Sequence, residues 1–462
     1  MRTIKRTTQF KKDYKREAKG AVWSWPIIRG AGLAAAAFAL VAGAVASPAA
    51  APAIDVTLAA LPDGKWRVDY ALARPARRLD LGPALGGFRA RDWRIETAGL
   101  ALVSEDGRDV LVPRGKRATF DRASLTVSAR PSGFEKQYEA IRVFAGGAVL
   151  YTGHFWPYTE RARADASFTI IPRPGGRVYA FGDARGEFRD WQAPTGHPAF
   201  VYVGPLEAAG TAIVDPTAPA WAVEDVVSLA PRLVEYYARA FGRELASAPD
   251  LFVLTDGDSA PGRLRFDGDA LPGQIEIALS GGAWASPDRG ARTLLARATA
   301  HEAAHLWQTA ARPARNDVPD WIHEGGADAL ALEALVAIGA EPAEALAGGF
   351  DAARASCAAA LDGRSLAAAE KHGSWRASYA CGAALSIIAA RAVDATGTVA
   401  DFWRVFISRA AANGGYDEAL FLALIEEKAG RDVAAAVRLF PRVAYAAPEK
   451  ELARLYELAG AP

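Results

Sequence analysis

The chain has 462 residues, 51% hydrophobic and 23% charged, enough for two or three packed domains and too apolar for a disordered polymer. Its formal net charge is +1, yet residues 1–46 hold nine Lys and Arg against Asp13 and Glu17, a local +7 that leaves about −6 on the remainder. Beyond that stretch no cationic surface remains, so no nucleic-acid partner is expected.

The first segment, "MRTIKRTTQFKKDYKREAKG", carries five of the chain's eleven lysines, whereas arginine is preferred elsewhere. Residues 1–20 resemble the start of RelE/YafQ-type bacterial toxins, a likeness too short to form that fold. The segment reads as an upstream extension with no function assigned to it. Residues 31–46, "AGLAAAAFALVAGAVA", then run uncharged to the small-x-small pattern Ala44-Val45-Ala46. This is the pattern of a cleaved secretory signal, and it is short beside the ~20 apolar residues of a membrane span. A periplasmic or secreted location is expected. The alternative is an inner-membrane anchor over residues 27–46, the one membrane contact the sequence offers.

Between Ile54 and Tyr158, short alternating runs such as "KWRVDYALA" and "ASLTVSA" are punctuated by Gly, Pro and Asp every eight to twelve residues. They predict an antiparallel, sandwich-like β domain over 54–165. "SFTIIP", "GRVYAF" and "AFVYVG" continue as strands. A helix with apolar residues at three- and four-residue spacing follows, "AWAVEDVVSLAPRLVEYYARAFG", and then the strands "DLFVLT" and "GQIEIALS". From Ala291 the pattern is helical and rich in alanine. The expected organisation is multidomain α+β: extension, signal and linker over 1–53, the β domain, a mixed α/β domain over 166–345, and a helical region over 346–462.

The chemistry concentrates in "ATAHEAAHLWQ". Only six histidines occur in the chain, and His301 and His305 stand four apart. On a helix that spacing stacks both imidazoles on one face, where both can reach one metal ion. A catalytic zinc takes three protein ligands, so a third must come from elsewhere. Glu324, in "VPDWIHEGGADALALE", follows His305 with eighteen residues between, room for a helix end, a loop and a return. Asp328 lies one turn beyond Glu324 and can accept the free N–H of a ligating histidine. Glu302 projects near the metal without binding it, placed to take a proton from the water that zinc activates. His323 reads as packing or cleft lining; His154, His197 and His372 read as structural.

The arrangement HExxH, eighteen residues, then W-x-x-E-G-x-A resembles the gluzincin zinc metallopeptidases, in particular the M1 aminopeptidases and the M61 family. The likeness is strong over about Ala298–Ala331. It implies a thermolysin-like catalytic domain, one Zn²⁺ per chain held by His301, His305 and Glu324, Glu302 as general base and acid, and a peptide substrate. Those families carry a tyrosine in a Y-x-x-G-A helix. Here "SYACGAALSII" supplies Tyr379, fifty-five residues after Glu324, with Cys381 where the motif commonly has lysine. The resemblance implies that Tyr379 donates to the developing oxyanion. M1 enzymes also carry G-x-M-E-N on an edge strand; Gly273-Gln274-Ile275-Glu276-Ile277 matches its glycine and glutamate but not its Met and Asn. By that likeness Glu276 would grip a substrate's free amine. Even without it, an edge strand can bind an extended peptide through its backbone. Cys357 and Cys381, the only cysteines, can pair if the chain is exported, bracing the Tyr379 helix. The expected function is an exported zinc metallopeptidase, with an aminopeptidase as one form of it. The competing expectation is an exported, non-catalytic binding protein that keeps the metal site.

Overall fold

The computed structural model describes residues 53–460 apart from 85–86, 116–117, 132–139, 160–161, 206–211, 256–259, 312–317 and 395–396. Residues 1–52, on which the toxin-like resemblance and the expected signal fall, lie outside the described residues.

Two-residue alternation builds the first half. In the strand Lys65–Ala76, Trp66, Val68 and Tyr70 are buried while Lys65 and Arg67 are exposed. This strand pairs antiparallel with Ile54–Ala60 on one side and Phe120–Ser128 on the other. Ala166–Ile171 joins the same six-stranded sheet, running parallel to Ile54–Ala60. A second six-stranded sheet contains Gly147–Tyr151, Arg177–Ala180 and Phe200–Gly204, and a third is built around Leu79–Pro83 and Arg108–Pro113. One continuous core runs from Val56 and Leu58 to Phe168, Ile170 and Val201. The β domain therefore extends to Gly204, and the boundary expected between residues 165 and 166 falls inside it. A parallel pairing with the first strand of the domain leaves no local mark in the sequence, which is why alternation alone misplaced that edge.

Next comes a four-stranded mixed sheet in the order Ala212–Val214, Asp250–Thr255, Gln274–Ser280, Arg265–Leu271. The first three strands are parallel and the last, at the edge, is antiparallel. Both faces are covered, in keeping with the nearly continuous apolar run of its inner strands. Leu251, Val253, Ile275 and Ile277 face a core shared with the helices Ala220–Phe241 and Arg289–Ala311. Phe252, Leu254 and Leu271 face the opposite way, against Val149, Tyr151, Tyr179, Phe200 and Tyr202 of the β domain. This second cluster joins the two halves.

The remaining chain is helical. Trp375–Val393 lies along Asp320–Ala337 at very short range. A Cβ on Gly382 would stand 1.9 Å from the Trp321 carbonyl oxygen, and one on Gly325 would stand 2.3 Å from the Gly382 Cα. Only a glycine pair permits that approach. A disulfide between Cys357 and Cys381 ties Gly349–Leu361 to Trp375–Val393. Glu333, buried on the Asp320–Ala337 helix, accepts from the backbone N–H groups of Val399 and Ala400 and from the Tyr236 hydroxyl, so it caps the helix Val399–Ala412 from the side. Among the described residues no helix is long and apolar enough to cross a membrane.

Candidate metal centre and active site

Two neighbouring helices carry the metal-binding candidates. His301, Glu302 and His305 sit on Arg289–Ala311, and Glu324 and Asp328 on Asp320–Ala337. The paired glycines described above draw the Trp375–Val393 helix, which bears Tyr379, against the second of them.

The three proposed ligands converge. The Nε2 atoms of His301 and His305 are 3.0 Å apart, and Glu324 Oε2 lies 3.4 Å from the first and 3.7 Å from the second. All three residues are buried, and they are the metal-capable cluster found among the described residues. A tetrahedral ion with ligands at about 2.0–2.1 Å separates its donors by about 3.3–3.4 Å, so the observed triangle has the right size for zinc.

The outer nitrogens settle the tautomers. His301 Nδ1 donates to Asp328 Oδ1 at 2.7 Å. His305 Nδ1 lies 2.7 Å from Gln308 Oε1, and the Gln308 amide nitrogen donates to the His323 carbonyl oxygen at 3.2 Å. That second bond fixes which end of the amide faces His305, so His305 must be the donor. The two Nε2 atoms face each other at 3.0 Å, close enough for a proton on one of them to bridge the pair and for a bound cation to take that proton's place. Burial alone would disfavour charge on His301, but its bonds to Asp328 and Glu324 outweigh burial and raise its pKa to about 10. The pocket is electrostatically prepared for a positive ion, and its donor set of two imidazoles and a carboxylate suits zinc.

Around this triangle the other residues take definite places. Glu302 is buried, its carboxylate pressed against the α-carbon of Gly268 on the edge strand. The Tyr379 ring stacks on His301 with centroids 5.4 Å apart and planes 11° from parallel. Trp375 meets Tyr379 edge-on at 5.6 Å. His323 stacks on His305 at 4.4 Å, and its Nδ1 is 2.7 Å from the Tyr416 hydroxyl. His323 thus packs directly against His305. Among His154, His197 and His372, none joins the cluster.

Glu276 differs from the sequence expectation. Its strand is the interior one of the hairpin, and Arg265–Leu271 forms the edge. Side chains alternate across the sheet, so with Ile275 and Ile277 facing the helices, Glu276 faces the β domain. There Arg142 donates to its carboxylate, with both residues buried. A carboxylate already held by a guanidinium is neutralised before any substrate amine arrives.

Two features of the site went unread in the sequence. Gln308 follows His305 by three residues, so it shares the helix face; that spacing was the available signal. Gly268 left none, because what matters there is a missing side chain.

No protein-family model and no curated protein matches the chain. Solved structures do. A crystal structure of an M1 zinc metallopeptidase from Deinococcus radiodurans is similar over 86% of this chain and 95% of its own, with a TM-score of 0.50 and 19% identity. A mutant M1 zinc metallopeptidase from the same organism, bound to the substrate Tyr-Ser-Ala, is similar over 86% and 94% of the two chains, with a TM-score of 0.50 and 18% identity. A two-domain M1 zinc metallopeptidase mutant bound to L-tryptophan is similar over 85% and 93%, with a TM-score of 0.50 and 17% identity. The fold is that of the M1 zinc metallopeptidases: a β-rich N-terminal half, mixed sheets and a helical C-terminal region.

Proposed function

We propose that this chain is an exported zinc-dependent metallopeptidase acting on short peptides, with a thermolysin-like catalytic half. The observation that carries the reading is the triangle of His301 Nε2, His305 Nε2 and Glu324 Oε2, sized for zinc and flanked by a buried carboxylate that is not part of it. His301, His305 and Glu324 would hold the ion, which when bound supplies a Lewis acid that polarises the scissile carbonyl and acidifies water.

The chain's own groups perform the proton work. Glu302 takes a proton from the attacking water and passes it to the leaving nitrogen as the C–N bond breaks, so that the carbonyl carbon keeps the hydroxyl. The Tyr379 hydroxyl donates to the oxygen that gains charge in the tetrahedral state. The edge strand Arg265–Leu271 offers backbone groups along which an extended peptide can lie. A peptide and single amino acids occupy the similar structures, which supports a peptide substrate here. Export is supported by the apolar run ending at Ala44-Val45-Ala46 and by the Cys357–Cys381 bond, which persists in oxidising compartments.

The test is cleavage of peptides with free and with blocked N-termini, with and without chelator. Chelator-sensitive cleavage is expected, and preference for the free series would make the enzyme an aminopeptidase. Glu302→Gln should bind zinc as the wild type does and lose activity by about 10²–10⁴-fold. Hydrolysis by Glu302→Gln at the wild-type rate would overturn the assigned role.

A further inference from the structure

The edge strand Arg265–Leu271 crosses the first ligand helix at Glu302. On its helix-facing side the sequence reads Phe266, Gly268, Ala270, an aromatic ring and a methyl group with nothing between them. Gly268 pairs with Ile277 of the neighbouring strand, and Ile277 faces the helices, so the missing side chain of Gly268 faces them too. A Cβ built there would stand 2.2 Å from Glu302 Oε1, 2.6 Å from its Cδ and 2.7 Å from its Cγ. These are distances at which something must move. Gly268 is not among the glycines with positive φ, so backbone conformation does not demand glycine at this position. The demand comes from Glu302.

We propose that Gly268 is a positioning residue for Glu302. Its absent side chain makes the notch in which the carboxylate stands, and the strand's backbone is the wall that fixes where the carboxylate points. Glu302 is buried, so it has no roomy solvent side to which it can retreat. With a methyl group in the notch, the carboxylate must swing away from the place where the attacking water is deprotonated. The proposal rests on Glu302 acting as general base. It accounts for the identity of a strand residue that belongs to neither the HExxH motif nor the proposed ligand set.

The experiment is a double-mutant cycle on the full chain, with Gly268→Ala, Glu302→Asp and the pair together. Zinc affinity is read by chelator competition, folding by thermal melting, and kcat and KM on the best peptide of the panel. A misplacement of about 1 Å can cost about 100-fold, so Gly268→Ala is expected to lower kcat by at least about that factor while zinc affinity stays at the wild-type value. Glu302→Asp withdraws the carboxylate by one methylene and lowers activity in the wild-type background. In the Gly268→Ala background the shorter arm fits the narrowed notch. The double variant should therefore be at least about tenfold more active than the product of the single effects, a coupling energy of about 1.4 kcal/mol.

Should Gly268→Ala fail to fold, folding of the double variant still locates the clash at Glu302 and supports the proposal. If neither folds, the clash lies elsewhere and the proposal is overturned. Strict additivity, or wild-type kcat in Gly268→Ala, also overturns it. An active Glu302→Gln would instead remove the general-base reading itself, whereas an inactive Glu302→Gln with an additive cycle removes only the role of Gly268.

Discussion

Replacing Gln308 with leucine tests whether the metal centre is built as the hydrogen bonds indicate. Gln308 is fully buried, accepts from His305 Nδ1 at 2.7 Å and donates to the His323 carbonyl at 3.2 Å. Leucine has nearly the same volume, so packing is kept while both bonds are lost. In the metal-bound state His305 must keep its proton on Nδ1, and that buried N–H would have no acceptor. An unsatisfied buried donor costs about 1–3 kcal/mol, which translates into about 5- to 150-fold weaker zinc binding. The metal-free protein escapes much of this cost, because with no ion on Nε2 His305 can carry its proton there instead, on the side of Glu324 Oε2 3.7 Å away. The penalty therefore falls on affinity and not on folding. Competition with a chelator of known strength measures it, and kcat at saturating zinc should change little. Gln308→Glu keeps an acceptor for His305, so it should bind zinc more tightly than the leucine variant. Zinc affinity in Gln308→Leu within about twofold of the wild type would refute the tautomer argument and the amide's part in it.

Two further outcomes follow from parts of the molecule away from the metal. The disulfide between Cys357 and Cys381 closes a loop with a sequence separation of 24, for which chain entropy assigns about 3 kcal/mol, so the double alanine variant should unfold at a clearly lower urea midpoint; an unchanged midpoint would show that the bond constrains nothing. Burial, and then the nearby Arg163, hold His197 down to about 4 from 6.5. The unfolded chain therefore binds a proton that the folded one refuses between those values. Stability present above pH 6.5 should fall as pH drops towards 4, by about 3 kcal/mol from this residue. Urea titrations of His197→Gln should lack that part of the slope, and a variant that keeps the full acid loss would remove His197 as its source.

How much of this was readable beforehand depends on the range of the interaction concerned. His301, Glu302 and His305 are neighbours within two helical turns, so residue spacing alone places them. Glu324 and Tyr379 lie farther along the chain, but each is embedded in glycine-bearing motifs whose glycines are the contact points between helices, Gly325 against Gly382. Local pattern and tertiary contact coincide there. The extent of the β domain was hidden because Ala166–Ile171 pairs with Ile54–Ala60, and nothing in either strand names its partner. Glu276 was misplaced for a related reason: a hairpin's two strands look alike in sequence, and which becomes the edge is decided by the neighbouring strand Asp250–Thr255. The spacing of Gln308 from His305 is local, but the orientation of its amide needed the His323 carbonyl across the helix pair, and Gly268 needed the position of Glu302.

The ion pair between Arg142 and Glu276 has a consequence for how this molecule can be altered. One partner belongs to the β domain and the other to the four-stranded mixed sheet, and both are shut away from solvent. Losing either strands the other's charge at a cost of about 3–5 kcal/mol, whereas exchanging both for apolar residues is tolerable. The two positions are heritable only as a couple. A chimera that grafts the mixed sheet and its helices onto a foreign N-terminal half must bring an arginine to meet Glu276, or give up both charges at once.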